Sequence, residues 1–128
     1  MTTNLSNEPE VVDTSLDGVV IRNYIDGLPG GASLDVTGYT PTVIKAGHIV
    51  IRETATGVHK VMPVTADGTA YAAKPDGHEY RGVVSATRLA SKPMCPVMLR
   101  GTVNEVASPY PVTAEMKTAL PHILFTQD

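Results

Sequence analysis

The composition and the turn residues of this sequence predict a mainly β fold. Val, Ile and Thr are abundant, whereas Trp is absent and Phe occurs once, so the core must be built from branched aliphatic side chains that suit a pleated sheet. Glycine occurs 11 times and proline 10 times in 128 residues, which is too often for long helices. We therefore expect a small β-barrel or sandwich-like domain with one short helix near the C-terminus and an extended N-terminal arm.

The length suits one domain preceded by a short arm. A folded chain of 13.5 kDa buries roughly two-thirds of its surface, which is enough for a single core. Residues 1–17 contain four carboxylates, no Lys or Arg and few large apolar groups. Because such a segment buries too little apolar surface to offset its ordering entropy, we expect a flexible arm at 1–17 and a β-rich domain at 18–128.

The first predicted elements follow the arm directly. The β-branched stretch VVIRNYI predicts a strand, and DGLPGGAS after it is rich in turn formers and predicts a loop. From Val43 the sequence VIKAGHIVIRE places Ile49 and Ile51 on one face of a strand, and ETATGVHKVMPV returns after a glycine turn. This pattern predicts a β-hairpin.

The connection of this hairpin has two possible forms. A two-residue loop of Thr56 and Gly57 would place Glu53 opposite Lys60 as a cross-strand ion pair. Threonine suits the positive φ of such a loop poorly, so a longer loop with a bulge at Gly57 is the alternative. Four Asp-Gly pairs elsewhere predict turns, and they begin at Asp17, Asp26, Asp67 and Asp76.

The second half of the chain predicts two strands, a helix and a closing strand. EYRGVVSATR and PVMLRGTVNEV alternate, and strict alternation places Val97, Leu99 and Val103 on one face. Thr113 can cap a helix over AEMKTAL, which Pro121 ends. HILFT then predicts a terminal strand with Ile123 and Phe125 on one face and His122, Leu124 and Thr126 on the other.

Charge and hydropathy argue against several kinds of partner. The formal net charge is −3, so nothing favours attraction to nucleic acid or to an anionic membrane surface. No apolar run approaches the ~20 residues of a membrane span, and MTTNLSNEPE lacks the basic and apolar regions of an export signal. We expect a chain that is not exported and has neither nucleic acid nor membrane as a partner.

The side chains that carry chemistry do not form a recognisable catalytic motif. The single cysteine, Cys95, lies between Met94 and Pro96 and suits a small buried hydrophobe better than a nucleophile. His48 and His59 lie on neighbouring strands of the predicted hairpin, but no further ligands have metal-site spacing. We expect ordinary surface or interface histidines rather than a zinc site, and no catalytic residue, metal or cofactor.

Several segments, in their order along residues 40 to 126, carry a family resemblance. They are IKAGHIVIRETATGVHKVMPV, DGHEYRGVVSAT, VMLRGTVNE, AEMKTAL and HILF. Together they resemble the head-decoration and head-fibre proteins of tailed bacteriophages, which are related in plan to the lambda-type decoration protein. The resemblance covers about two-thirds of the chain.

This resemblance implies a non-enzymatic structural virion protein on the outer surface of an assembled capsid, made in the cytoplasm of a bacterial host. Its partners would be the major capsid protein, further copies of itself as a homotrimer and possibly other head-fibre proteins. An N-terminal arm would engage the shell, and adding a strand to a partner's sheet edge is one way to do so. The residues placed to make this contact are Val11, Val12, Val19, Val20 and Ile21.

Two other classes of function stay open on the sequence. A receptor- or glycan-binding β-module would use exposed aromatic side chains on loops, and Tyr39 and Tyr110 are the two tyrosines with suitable positions. A small oligomeric enzyme would place its active site between subunits. The residues that such a site would draw on are His48, His59, Asp76 and Glu79.

Overall fold

A computed structural model describes residues 13–127 of the protein, and it confirms the mainly β class. Its two helices are α1 (Asp17–Val20) and α2 (Ala114–Ala119). Its strands are β1 (Ile21–Gly27), β2 (Ala32–Ser33), β3 (Val43–Ile44), β4 (Ile49–Glu53), β5 (His59–Val61), β6 (His78–Val84), β7 (Arg88–Leu89), β8 (Met94–Cys95), β9 (Val97–Asn104) and β10 (Ile123–Thr126). The expectation of a single helix was wrong, because the short α1 precedes the first strand.

One six-stranded sheet organises the domain. Its strand order is β1-β9-β6-β4-β5, and β10 pairs in parallel with β9. The pairs β2 with β8 and β3 with β7 form two small antiparallel sheets. The N- and C-terminal strands both pair with β9, so this strand joins the two ends of the described chain.

The central strands β4 and β6 of the large sheet are buried on both faces, which gives the domain two hydrophobic clusters. Ile49 and Ile51 of β4 belong to the larger cluster, as the sequence predicts, while Val50 between them belongs to the second. The side chains of β6 divide in the same way, with Val83 in the larger cluster and Val84 in the second. Continuous apolar runs in these strands thus reflect burial on two sides.

The predicted hairpin is formed by β4 and β5 and has the longer loop. The backbone N–H of Glu53 donates to the carbonyl of Val58 at 2.9 Å, and that of Gly57 donates to Glu53 at 2.8 Å. Gly57 has φ +76°, the left-handed region that favours glycine. Lys60 consequently lies opposite Ile51, and the predicted Glu53–Lys60 pair does not form.

Strand β9 departs from the alternation that its sequence predicts. Val97 belongs to the second cluster, but Val103 belongs to the larger one together with Met98. The pairing of β1 with β9 contains register shifts, which are the mark of β-bulges and change the face of every later side chain. Gly101 lies within this irregular stretch, where a Cβ atom would overlap the carbonyl oxygen of Asn23.

The turn and helix predictions have mixed outcomes. Gly68 and Gly77 have positive φ, as the turns predicted at Asp67 and Asp76 require. The turns predicted at Asp17 and Asp26 are not observed at those positions, because Asp17 begins α1 and Gly27 ends β1. Helix α2 is capped as expected, because the Thr113 hydroxyl accepts from the backbone N–H of Met116 at 3.3 Å. The closing strand is also confirmed, since Ile123 and Phe125 both contact the larger cluster.

Candidate functional site

Of the five residues predicted to contact a capsid, the three that the structure describes do not share one exposed surface. Val11 and Val12 lie outside the described residues. Val19 on α1 is 45% exposed, but Val20 is buried in the larger cluster. Ile21 is half-buried, and its backbone pairs with Val103 of β9. Val20 therefore stabilises the domain itself, and Val19 is the one of the three described residues with an exposed side chain.

Asp17, the last residue of the predicted arm, is bound to the domain. Its carboxylate accepts a hydrogen bond from the backbone N–H of Thr87 at 2.8 Å and a second from the Thr87 hydroxyl. That hydroxyl in turn accepts from the backbone N–H of Ala46 at 3.1 Å. Because Thr87 is buried, these bonds join α1 to the segment before β4 and to the one after β6. The folded domain thus begins before residue 18.

Strand β1 is the most exposed long strand of the domain. Within the described chain it pairs only with β9, so its other edge has no strand partner. All five residues between Ile21 and Gly27 are exposed. Two of them are large and apolar, namely Tyr24 at 52% and Ile25 at 60% exposure. We refer to Tyr24 and Ile25 as the β1 surface.

The sequence predicted this strand but not its exposure, because a β-branched pattern does not distinguish an edge strand from a buried strand.

Tyr39 and Tyr110 line one cleft, although they are distant in the sequence. The cleft has a volume of about 350 Å³, and we call it the tyrosine cleft. Its other lining residues are Pro41, Thr42, Val43, Lys45 and Pro109. The lining is mostly apolar. Apart from the two phenols, its polar side chains are the hydroxyl of Thr42 and the ammonium group of Lys45. The structure therefore brings together the two tyrosines that were expected as exposed loop aromatics, but both are half-buried.

His48 is fully buried beside the tyrosine cleft. Its ring lies edge to face with three tyrosine rings, at centroid distances of 5.5 Å to Tyr39, 5.2 Å to Tyr71 and 5.4 Å to Tyr110. Such perpendicular packing is favourable for aromatic pairs. Because His48 contacts both cleft tyrosines from the protein interior, it fixes the position of the cleft walls. The expectation of a surface or interface histidine was wrong at this position.

Hydrogen bonding fixes the tautomer of His48, and burial keeps its ring neutral. The ring Nε2 donates to the carbonyl of Met62 at 2.8 Å, which leaves Nδ1 as the unprotonated nitrogen. Nδ1 is buried and has no hydrogen-bond partner among the described residues. Burial lowers the pKa of His48 from 6.5 to about 4, partly opposed by the bond to Met62. The imidazole is therefore neutral at physiological pH.

The remaining chemical groups do not converge. In residues 13–127, no three His, Cys, Asp or Glu side chains are grouped as a metal site would require. His59 is half-buried on β5, and its pKa is lowered by burial and by the nearby Arg81 and Arg52. Cys95 is buried, as predicted, and burial raises its pKa to about 11. A thiol with this pKa is a poor nucleophile at neutral pH.

The residues of the inter-subunit alternative also have local roles. His78 Nδ1 donates to the backbone carbonyl of Asp76 at 3.0 Å. Glu79 forms an ion pair with Arg52 at 2.9 Å across β4 and β6. His48 is enclosed within its own chain. A site shared between subunits thus has no access to the ring of His48.

Comparison with protein-family models, with curated proteins and with solved structures found no match in any of the three cases. Neither α1 nor α2 has the length or the apolar character that a membrane span requires.

Proposed function

We propose that this protein is a structural virion component that binds the outer surface of an assembled bacteriophage capsid. The order of its segments, which resembles that of head-decoration and head-fibre proteins, supports the proposal. The major capsid protein is the partner, and the protein acts by decorating the shell or by attaching a head fibre. Its place is the capsid outer surface.

The observation that carries this proposal is the β1 surface. Most large apolar side chains of the sheet are buried on one face or the other, but Tyr24 and Ile25 are exposed on a strand whose second edge has no partner among the described residues. Fully burying a side chain of this kind contributes roughly 1.5–3 kcal/mol. Exposed aromatic and aliphatic residues that become buried are the typical anchors of a protein interface. The same strand directly follows α1 in the chain.

Changing Ile25 to Asp is expected to weaken binding to undecorated capsids by tenfold or more, that is by at least ~1.4 kcal/mol. A carboxylate at this position must be desolvated on contact with the shell, whereas it stays hydrated in the free protein. The measurement is a sedimentation binding isotherm with purified capsids and the full-length chain.

Leu124→Asp provides the matched control, because Leu124 is 62% exposed on β10, close to the value for Ile25. We expect this variant to bind like the wild type, and both variants to keep the wild-type melting temperature. Equal binding by Ile25→Asp and the wild type would remove the β1 surface from the interface. Absence of binding by the wild type to any shell would contradict the function itself.

Self-association as a homotrimer is part of the proposal. Val58, Met94 and Val106, outside β1 and β10, are exposed apolar side chains that further copies can cover. Light scattering should then return three times the chain mass of 13.5 kDa, either in solution or after release from capsids. A mass of one chain under both conditions would contradict the trimer.

The tyrosine cleft favours a second candidate function, a receptor- or glycan-binding module. The single observation behind it is that Tyr39 and Tyr110 line the same cleft. Sugar recognition needs several polar side chains for the hydroxyl groups, and the cleft supplies Thr42 and Lys45 besides the two phenols. The phenol of Tyr39 already donates to the carbonyl of Val43 at 2.8 Å. This chemistry suits an apolar ligand better than a sugar, which places the glycan function second.

A further inference from the structure

A cleft of about 310 Å³ lies where strand β9 changes its partner. One edge of β9 pairs with β1, whereas the other pairs first with β6 and then, from Gly101 onwards, with β10. Leu99 and Arg100 lie between these two pairings and line the cleft, together with Arg81 of β6. We call it the arginine cleft. Its other lining residues are Asp26, Tyr80, Ala119, Leu120, Pro121 and His122.

Arg81 has a buried donor that the chain leaves without an acceptor. The Nε atom of its side chain is buried and has no hydrogen-bond partner in the described part of the chain. The carboxylate two positions before it, that of Glu79, forms its ion pair with Arg52 instead. Because an unsatisfied charged donor loses its solvation on burial, a ligand that brings an acceptor to Arg81 gains a strong hydrogen bond.

The charges of the lining favour an anion with a single charge. Arg81 and Arg100 contribute two positive charges, and Asp26 contributes one negative charge. Asp26 lies opposite Arg100 in the pairing of β1 with β9, although the ion pairs found in residues 13–127 do not include either side chain. Asp26 thus offsets one of the two guanidinium charges. A carboxylate balances the charge that is left over, whereas a doubly charged phosphate exceeds it.

The rest of the lining is mainly apolar. Leu99, Leu120, Pro121 and Ala119 present aliphatic surface, and Tyr80 adds an aromatic ring. Sites for small ligands are typically clefts of about 300 Å³ or more with an apolar lining and a few polar groups that fix the orientation. At about 310 Å³ the arginine cleft has the size for one small ligand or for one terminal residue of a peptide.

We propose that the arginine cleft binds a carboxylate carried by a small apolar body, with the carboxylate on the guanidinium of Arg81 and the apolar body against Leu99 and Leu120. The planar fork of N–H donors in arginine matches the two oxygens of a carboxylate. Such a ligand has two sources, a free organic acid and the C-terminus of a peptide that ends in an apolar residue. This inference goes beyond capsid binding, and it is measured on the free protein.

Nuclear magnetic resonance of the isotope-labelled full-length chain tests the proposal. The probes are phenylpropionate and phenylpropionamide, which differ in charge but hardly in shape. We expect phenylpropionate to shift the backbone amide signals of Arg81, Leu99 and Arg100 in a saturable way, and the amide to bind about tenfold more weakly or less tightly still. Acetylglycylphenylalanine supplies the same carboxylate as a peptide C-terminus, and the tighter of the two acids identifies the source.

Three variants separate the proposed contact from general electrostatics. Arg81→Gln should weaken binding of the acid by about tenfold or more, because it removes the charge and the fork of donors. Asp26→Asn should strengthen binding by about twofold, since it removes the negative charge of the lining. Arg22→Gln makes the same change as Arg81→Gln at an exposed arginine outside the lining, and should alter the affinity by less than about twofold. Circular dichroism and the melting temperature establish that each variant is folded.

Each other outcome overturns the proposal. Equal affinities for the acid and its amide mean that the cleft binds only the apolar body. Unchanged affinity in Arg81→Gln removes this residue from the site, and inorganic phosphate that shifts the same signals as tightly reduces the effect to anion attraction. Absence of saturable shifts at up to ~10 mM of both acids means that there is no site. The acid and amide are compared on the wild type, so the test does not depend on the folding of any variant. Capsid binding is assayed separately, so failure of this inference is distinguishable from failure of the proposed function.

Discussion

Replacing Asp17 by alanine is expected to lower the free energy of unfolding by about 2 to 4 kcal/mol. The carboxylate of Asp17 accepts from both the backbone N–H and the hydroxyl of Thr87, and Thr87 is only 4% exposed. Without Asp17 the buried N–H group of Thr87 has no acceptor, and an unsatisfied buried donor loses its full solvation. Urea denaturation at pH 7, followed by circular dichroism, measures the change.

Asp26→Ala is the control for this experiment. Asp26 is exposed, and its carboxylate accepts from the backbone of the adjacent Gly27 rather than from another element. We expect its effect to stay within about 0.5 kcal/mol, as is usual for surface substitutions. An Asp17→Ala variant as stable as Asp26→Ala would show that the Asp17–Thr87 bonds contribute nothing to the fold.

The same bonds change how an N-terminal truncation should be designed. Deleting residues 1–17, the arm boundary drawn from the sequence, would also remove the ligand of Thr87 and the first residue of α1. A weaker capsid affinity would then be confounded with a less stable domain. Deleting residues 1–12 leaves every described contact of Asp17 in place, so it isolates the contribution of the segment to binding.

Acidification from pH 7 to pH 5 is expected to destabilise the protein by about 2 kcal/mol through His48 alone. Burial lowers the pKa of this imidazole to about 4, against 6.5 when it is exposed in the unfolded chain. Below pH 6.5 the unfolded state therefore binds a proton that the folded state does not, and stability falls until the pH reaches about 4. The three rings around His48 belong to tyrosines, which supply no negative charge at these pH values.

The range between pH 7 and pH 5 separates His48 from the carboxylates. Asp35 and Glu105 also have lowered pKa values, the first through hydrogen bonds from Thr37 and the second mainly through Lys117. Their stabilising effect is lost at lower pH, as the pH falls through the ordinary carboxyl range towards the folded-state values. His59 changes in the same direction as His48, but it is less buried.

A His48→Gln variant should lose most of the pH dependence between 7 and 5, whatever its stability at pH 7. Its amide can still donate to the carbonyl of Met62, and it has no proton to bind in this range. His122→Gln is the control, because His122 is exposed. Parallel stability curves for the wild type and His48→Gln from pH 7 to pH 5 would mean that His48 is not the titrating group.

Much of the fold was predictable because its signals are local. The hairpin of β4 and β5 follows from two apolar strands around a glycine turn, and helix α2 follows from Thr113 at its start and Pro121 beyond its end. The burial of Cys95 followed from its apolar neighbours. Each of these features is decided by residues within a few positions of one another, so the sequence alone carries the information.

The candidate site was predictable only in part. Tyr39 and Tyr110 were identified as a pair of loop aromatics, and the structure places them in one cleft. The centre that positions them, His48, was expected at the surface, because histidine is usually found there and its burial depends on tyrosines that lie far along the chain. The exposed β1 surface was missed for the same reason, since the edge position of a strand is a property of the whole sheet.

By itself, the sequence determined the β class, the main hairpin, the second helix and the closing strand, because turn chemistry and hydrophobic alternation act over short distances. Only the tertiary structure decided which face each side chain of β9 occupies, since bulges in its pairing with β1 move Val103 to the side of Met98. It also decided where the domain begins, because the partner of Asp17 is 70 positions away at Thr87. Contacts of this kind depend on the packing of distant segments, for which no local pattern is diagnostic.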